Sequence, residues 1–288
     1  MKRASVPVDL FNPGQVFACF GLAEAAAQLL GEARGAFDWS DAGGQAWFHV
    51  LAPDKDPLAH VLDFLTQATV EVYTCDKELV AEQEIQTRFR RDETFPIARP
   101  NSPATLPAVA SLDGRELWFQ YWGDSTHRDN FKLWAGMAGM SGAKLLRNAL
   151  DLISTPRPTT HDPFNQPSNQ SGSFNLDWRR TYVPIDAGFS PNAHKSGMTT
   201  RGYPLVEILG AYGLAHARPR RHQSKLDYSY GVICSPDGDL LPLPLLRAAL
   251  GVAPALPFPQ RHFRITLDWP GKENQARCIT SVAEETIR

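Results

Sequence analysis

The first 75 residues alternate between the hydrophobic patterns of strands and of helices. Hydrophobic residues at every second position are typical of a strand, because successive side chains of a strand point to opposite faces. This pattern predicts strands at residues 4–9, 36–40, 45–51 and 68–75. Two helices are predicted between them, at residues 13–30 and 56–66. The order β-α-β-β-α-β is that of a ferredoxin-like unit, an arrangement that many RNA-binding domains share.

The first of these helices has clear boundaries and few polar positions. Asn12 is a favourable N-cap, Pro13 a favourable first residue and Gly31 a favourable end. Its polar residues are Gln15, Glu24 and Gln28. A helix that is apolar around most of its circumference is buried on more than one side, so we expect it to lie centrally.

The second half of the chain repeats this theme. It predicts strands at 174–186 and 226–234, helices at 203–217 and 242–251, and a closing hairpin of residues 261–269 and 275–282. The two long helices share a Gly-Leu step, Gly21-Leu22 and Gly213-Leu214. A tandem repeat and a single compact domain both fit. The predicted fold class is therefore α+β, with one or two ferredoxin-like units, antiparallel sheets and long loop insertions.

The middle of the chain interrupts the two patterns. Charges of both signs crowd residues 76–104, a hairpin is predicted over 106–122 and a helix over 141–153, and residues 154–173 read as a long loop rich in Pro, Ser and Asn. We therefore divide the chain into an N-terminal unit (1–75), an insertion (76–173) and a C-terminal half (174–288).

Composition limits the class of protein. The chain is 43% hydrophobic and 21% charged, with a net charge of −2. No apolar run reaches the roughly 20 residues that a membrane crossing needs, and no leader pattern is present. We expect a cytoplasmic protein with no membrane partner. The four cysteines, Cys19, Cys75, Cys234 and Cys278, form no C-x-x-C pair and are expected to be buried thiols.

Signatures of catalysis are missing from the sequence. It contains no Walker loop, no G-x-S-x-G, no H-E-x-x-H and no G-x-G-x-x-G. The aspartates show no metal-ligand spacing, so we expect neither a metal nor a cofactor. Gly136, Gly139 and Gly142 fit either a phosphate-binding turn or a simple flexible one.

The charge distribution is more informative than the motifs. Eight basic residues against two acidic ones lie between positions 179 and 225, an excess of six in a chain whose total is negative. The basic residues are Arg179, Arg180, Lys195, Arg201, Arg218, Arg220, Arg221 and Lys225. Compensation of a helix dipole needs one or two cations, so we predict contacts with nucleic-acid phosphates. Arg88, Arg90 and Arg91 form a smaller basic patch.

Four separated segments resemble one protein family. They are VDLFNPGQVFACFGLAEAA, FKLWAGMAGMSG, GFSPNAHKSGMTTRGYPLVEILGAYGLAHARPRR and RITLDWPGKENQARCIT. In this order they resemble the CRISPR-associated proteins specific to subtype I-U, now called I-G, and the similarity extends over nearly the whole chain. The resemblance implies a non-catalytic subunit of a crRNA-guided surveillance complex, either the candidate large subunit or a repeat-associated RNA-binding subunit.

The same resemblance implies the partners. They are crRNA, target DNA, the other subunits of the effector complex and a recruited helicase-nuclease that cleaves the DNA. In such complexes base pairing reads sequence, while protein contacts hold backbones and read a short protospacer-adjacent motif. Asn192, Lys195 and the loop from Gln166 to Asn169 are candidates for reading base edges, since Asn, Gln and Lys suit that task.

Two other functions stay open. A metal-independent endoribonuclease that processes repeat RNA would use His161, His194 or Tyr182 as its general base, and cleavage of repeat RNA in EDTA would reveal it. A small-molecule enzyme would need a deep pocket with converging polar groups.

The Asn12-Pro13-Gly14 step has two interpretations. It starts the helix in either case. If the helix N–H groups also point outward at the rim of a sheet, a guide or target phosphate could rest against Asn12 and Gly14.

Overall fold

A computed structural model describes residues 1–41, 43–72, 108–119, 142–170, 172–179, 201–224, 226–235, 238–254, 256–268 and 278–286. The helices are α1 (Pro13–Leu30), α2 (Pro57–Leu65), α3 (Gly142–Ser154), α4 (Pro204–His216) and α5 (Leu243–Leu250), with a 3-10 helix at Pro163–Asn165. The strands are β1 (Lys2–Val8), β2 (Arg34–Asp38), β3 (Ala46–Ala52), β4 (Thr69–Val72), β5 (Ala108–Leu112), β6 (Arg115–Phe119), β7 (Ser168–Asn169), β8 (Arg201–Gly202), β9 (Arg220–Arg221), β10 (Asp227–Ile233), β11 (Leu241–Pro242), β12 (Gln260–Asp268) and β13 (Cys278–Glu285).

The first sheet has the strand order β1-β3-β2-β11. β3 lies antiparallel between β1 and β2, so α1 connects two strands with a third inserted between them. This split β-α-β arrangement is compatible with a ferredoxin-like unit. β4 pairs with β5 in a separate sheet, β4-β5-β6, and β11 lies beside β2. The predicted α+β class with antiparallel sheets is confirmed.

The second large sheet has the order β13-β12-β10-β9. β10, β12 and β13 correspond to the predicted strands, whereas the short β9 was not predicted. The strand predicted at 174–186 is wrong for residues 174–179, where the chain bends at Asn175 (φ 61°). The backbone N–H groups of Leu176 and Asp177 donate to the Glu207 carboxylate at 3.1 and 3.0 Å instead of to a strand. Residues 180–186 lie outside the described residues.

α1 lies at the centre of the protein, and 15 of its 18 residues are buried. Phe17 packs against Tyr230 of the second sheet with ring centroids 5.7 Å apart, and Phe20 contacts Phe37 of the first sheet at the same separation. One continuous core therefore joins both halves. Cys19 is buried as expected, whereas Cys234 and Cys278 are only half-buried, and Cys75 lies outside the described residues.

α1 and α4 cross with their backbones in contact. A Cβ atom at Gly21 would lie 1.8 Å from the carbonyl oxygen of Leu209, and one at Gly213 would lie 2.4 Å from that of Phe17. Since real Cβ atoms essentially never approach closer than 3.0 Å, only glycine fits at both positions. The shared Gly-Leu step is thus the crossing point of the two helices. None of the helices in the described ranges has the length and hydrophobicity needed to cross a membrane.

Candidate nucleic-acid interface

The Asn12-Pro13-Gly14 turn is buried. Asn12 is fully buried; its Oδ1 accepts from the N–H of Gln15 at 3.4 Å and its Nδ2 donates to Asp177 Oδ1 at 2.9 Å. A Cβ at Gly14 would lie 2.6 Å from the carbonyl oxygen of Leu176. The expectation that Asn12 and Gly14 face outward toward a phosphate is therefore wrong, because residues 176–177 cover the start of α1.

Arg179, one of the predicted basic residues, is connected to this turn through Asp177. Its Nε and Nη2 donate to the two Asp177 carboxylate oxygens at 3.0 and 2.6 Å, and Nη2 also donates to the carbonyl oxygen of Phe164 at 2.7 Å. The guanidinium carbon lies 3.6 Å from the centre of the Tyr203 ring. The buried Asp177 carboxylate compensates the charge of Arg179. Because Arg179 bonds both Asp177 and Phe164, it also holds the 3-10 helix against residues 176–177.

The other predicted arginines divide by exposure. Arg201 is exposed on β8, and Arg220 and Arg221 are exposed on β9, the edge strand of the second sheet. Arg218 is half-buried, and its Nε and Nη2 atoms are inaccessible to solvent, which makes it a poor phosphate ligand. Several predicted site residues lie outside the described residues: Arg180, Asn192, Lys195 and Lys225, with Arg88, Arg90 and Arg91 of the smaller patch.

A polar row crosses the second sheet beside Arg220. The register places Arg220, Ser229 and Arg264 side by side on β9, β10 and β12. Arg264 Nε donates to Asp227 Oδ1 at 2.8 Å, and this hydrogen bond is the main cause that lowers the pKa of Asp227. The Ser229 hydroxyl donates to Glu285 Oε2 at 2.7 Å. The row is thus positively charged at Arg220 on β9, whereas on β12 the charge of Arg264 is compensated by Asp227.

Arg264 was not among the predicted site residues, because the prediction was based on clusters of basic residues along the chain. The alternation of polar and hydrophobic residues in the predicted strand 261–269 already placed Arg264 on the polar face. Its position beside Arg220 follows only from the pairing of β10 with both β9 and β12. No local signal in the sequence contains that pairing.

A second polar row crosses the first sheet. Ser5 Oγ lies 2.7 Å from His49 Nδ1, and His49 Nε2 lies 3.7 Å from Asp38 Oδ2. Burial, aided by the charge of Arg3, lowers the pKa of His49. The residue types are those of a hydrolase triad, but the carboxylate is beyond hydrogen-bonding distance and so does not orient the imidazole as a triad requires. We interpret the row as cross-strand contacts of a polar sheet face.

A cleft of ≈ 520 Å³ opens beside the start of α1. Four separate segments line it: residues 7–15, the β2–β3 connection, the loop of residues 162–179, and β12. Its side chains combine aromatic, amide and guanidinium groups from Phe11, Trp39, Gln45, Asn165, Arg179 and Arg261. Of these, only Arg179 was predicted, since the others come together only in the folded chain.

The histidine proposed as a general base gains no support from its surroundings. His161 is exposed in a loop, and His194 and Tyr182 lie outside the described residues. Within the described ranges, no three His, Cys, Asp or Glu side chains gather as a metal site would require.

Comparison with protein-family models, curated proteins and solved structures finds no significant match for this chain.

Proposed function

We propose that this chain is a non-catalytic, nucleic-acid-binding subunit of a crRNA-guided type I-U (I-G) surveillance complex in the cytoplasm. The observation that carries the proposal is the exposure of Arg220 and Arg221 on an edge strand. The chain as a whole has a net charge of −2, so two adjacent exposed arginines on this edge are a local concentration of positive charge.

The position of these arginines distinguishes the proposal from helix capping. α4 ends at His216, and β9 begins four residues later at Arg220. The favourable effect of a cation on a helix falls off within the last turn of the helix. Arg220 and Arg221 are therefore too far along the chain to act as helix caps. Within the described residues Arg220 forms no ion pair, which leaves its guanidinium available to a phosphate.

The proposed division of labour assigns sequence reading to base pairing and backbone holding to the protein. Exposed arginines on a sheet edge suit the backbone of guide RNA or target DNA, while other surfaces would contact neighbouring subunits and the recruited helicase-nuclease. The loop from Gln166 to Asn169 remains our candidate for reading the protospacer-adjacent motif. Its last two residues form β7, and Asn169 pairs there with Arg201, so an amide and a guanidinium lie side by side.

Neutralisation of the two arginines tests the proposal. We expect the Arg220→Gln/Arg221→Gln variant to bind single-stranded RNA or DNA more weakly. The slope of log K against log salt concentration should flatten by about 1.4, because each phosphate that an arginine no longer neutralises reduces the slope by about 0.7. Fluorescence anisotropy with labelled oligonucleotides at several salt concentrations measures both quantities.

A matched control removes two charges elsewhere. Arg34 and Arg157 are exposed surface arginines paired with Glu32 and Asp63, and their double glutamine variant has the same net charge as the test variant. If both variants lose affinity equally, the effect is one of net charge, and the assignment of β9 to the interface is wrong.

A further inference from the structure

The cleft beside the start of α1 has an aromatic rim that core packing does not account for. Phe11 is 38% exposed and so presents part of its ring to solvent. Its ring is nevertheless held in place: it meets Phe263 edge-on with centroids 5.1 Å apart, and its backbone N–H donates to Asp9 Oδ1 at 2.9 Å. Trp39 lines the same cleft, with the Arg261 guanidinium 5.9 Å from its ring centre.

In each amide side chain of the cleft, one of the two polar atoms forms a hydrogen bond. Gln15 Oε1 accepts from the N–H of Asp9 at 2.7 Å, Gln45 Nε2 donates to the carbonyl oxygen of Ala46 at 2.7 Å, and Asn165 Oδ1 accepts from Arg179 at 3.4 Å. The remaining atom of each amide makes no hydrogen bond within the described residues. Two donors, Gln15 Nε2 and Asn165 Nδ2, and one acceptor, Gln45 Oε1, are thus available at fixed positions.

The charges of the cleft favour a neutral ligand over a phosphate. Both guanidinium groups are already paired, Arg179 with Asp177 and Arg261 with Glu284, the latter through two bonds of 2.7 Å. Asp9 and Asp162 also line the cleft and would repel a phosphate. A planar, neutral group with a polar edge fits these conditions, and ≈ 520 Å³ is within the usual range of small-ligand sites.

We propose that the cleft binds one unstacked base of a single-stranded nucleic acid, stacked on Phe11 and hydrogen-bonded along its edge by the three amides. Stacking on aromatic side chains is a common way to hold unpaired bases. This inference rests on the proposed nucleic-acid-binding function, but it assigns the base contact to a surface different from the β9 edge that contacts phosphates.

The test compares a hexanucleotide with its abasic counterpart, which keeps every phosphate and removes every base, in RNA and in DNA form. Wild-type protein should bind the hexanucleotide more tightly than the abasic strand. We expect Phe11→Ala to weaken binding of the hexanucleotide about tenfold and to leave abasic binding unchanged. Phe11→Leu, which keeps apolar volume for folding, should give the same loss of base dependence. Trp118→Ala removes an equally exposed aromatic residue outside the cleft (39%) and should change neither.

The outcomes separate the two proposals. The β9 double glutamine variant should weaken binding of both strands by the same factor, because both carry the same phosphates. If wild-type protein binds the hexanucleotide no more tightly than the abasic strand, or if Phe11→Leu keeps the full wild-type preference for the hexanucleotide, the base-binding cleft is refuted while phosphate binding stands. If wild-type protein binds neither strand, both proposals are refuted. Preference for the RNA or the DNA form identifies which single strand supplies the base.

Discussion

The backbone contact between α1 and α4 makes a sharp prediction about Gly21 and Gly213. Alanine adds one methyl group at a helix position, which normally favours the helix by about 1 kcal/mol. Here the methyl group has no space, since it would lie 1.8 Å from the Leu209 carbonyl oxygen at Gly21 and 2.4 Å from the Phe17 carbonyl oxygen at Gly213. Both obstacles are backbone atoms of a buried helix, so neither can move alone.

The required displacement sets the magnitude. The closest Cβ contacts in real structures are 3.0 Å, so the helices must separate by at least 1.2 Å for Gly21→Ala and 0.6 Å for Gly213→Ala. Overpacking of a well-packed core costs about 1–3 kcal/mol and occasionally more, and separation also loosens contacts along the rest of the crossing. We expect losses of about 3 kcal/mol or more for Gly21→Ala and about 1–3 kcal/mol for Gly213→Ala.

Urea denaturation followed by circular dichroism measures these losses. Gly210→Ala is the matched control on the same helix, because the nearest atom to its added methyl group is the flexible end of Leu176 at 3.1 Å; its stability should stay within about 1 kcal/mol of wild type. A Gly21→Ala protein as stable as wild type would refute the backbone contact. An equal loss of unfolding free energy in all three variants would also contradict the reasoning, because the contact distances of the added methyl group range from 1.8 to 3.1 Å.

Two further predictions concern buried charge and pH. Glu24 is only 6% exposed and accepts two hydrogen bonds from Arg247 at 2.6 and 2.7 Å. Glu24→Gln should lower the free energy of unfolding by about 1–3 kcal/mol, moderated by the solvent contact of Arg247, whereas exposed Glu32→Gln should change it by less than about 0.5 kcal/mol in the same denaturation assay. Burial lowers the pKa of several histidines below their usual value: His49, His60, His216 and His262. The unfolded chain then binds more protons, so stability should fall as pH drops below about 6.5; urea midpoints that rise as the pH is lowered from about 8 to about 5 would contradict this.

Local chemistry explains why most elements were predictable. α1 was predicted at residues 13–30 and lies at Pro13–Leu30, because the Asn12 cap, Pro13 and Gly31 are neighbours in sequence. The strand predicted at 174–186 failed in its described part for the opposite reason. The groups that bend it, the Glu207 carboxylate and the two N–H donors it accepts from, are 30 and 31 residues apart. A single sequence offers no local signal for such a bond.

The candidate site was predictable only in its charges. The basic excess between residues 179 and 225 includes arginines that are exposed in the structure, such as Arg220, but it could not show that Asp177 compensates Arg179. The compensating carboxylate of Arg264, Asp227, lies 37 residues away along the chain. The contacts made in the folded chain, a loop contact for Arg179 and a cross-strand contact for Arg264, therefore decide which arginines keep an available charge.

The N-termini of the two central helices show why nucleic acid has no place at the Asn12-Pro13-Gly14 turn. A helix N-terminus favours a negative group, and the fold supplies one from within: Asp177 bonds Asn12 at the start of α1. Glu207, in the first turn of α4, accepts from Leu176 and Asp177 and fixes the segment that carries Asp177. Arg179 then connects Asp177 to the wall of the cleft through Asn165. The network that excludes a phosphate from the helix start thus holds the amide and guanidinium groups of the neighbouring cleft in place. A site ordered before its ligand arrives loses less entropy on binding. The proposed single-base pocket would depend on such order, because stacking and a few hydrogen bonds are all that would supply its binding free energy.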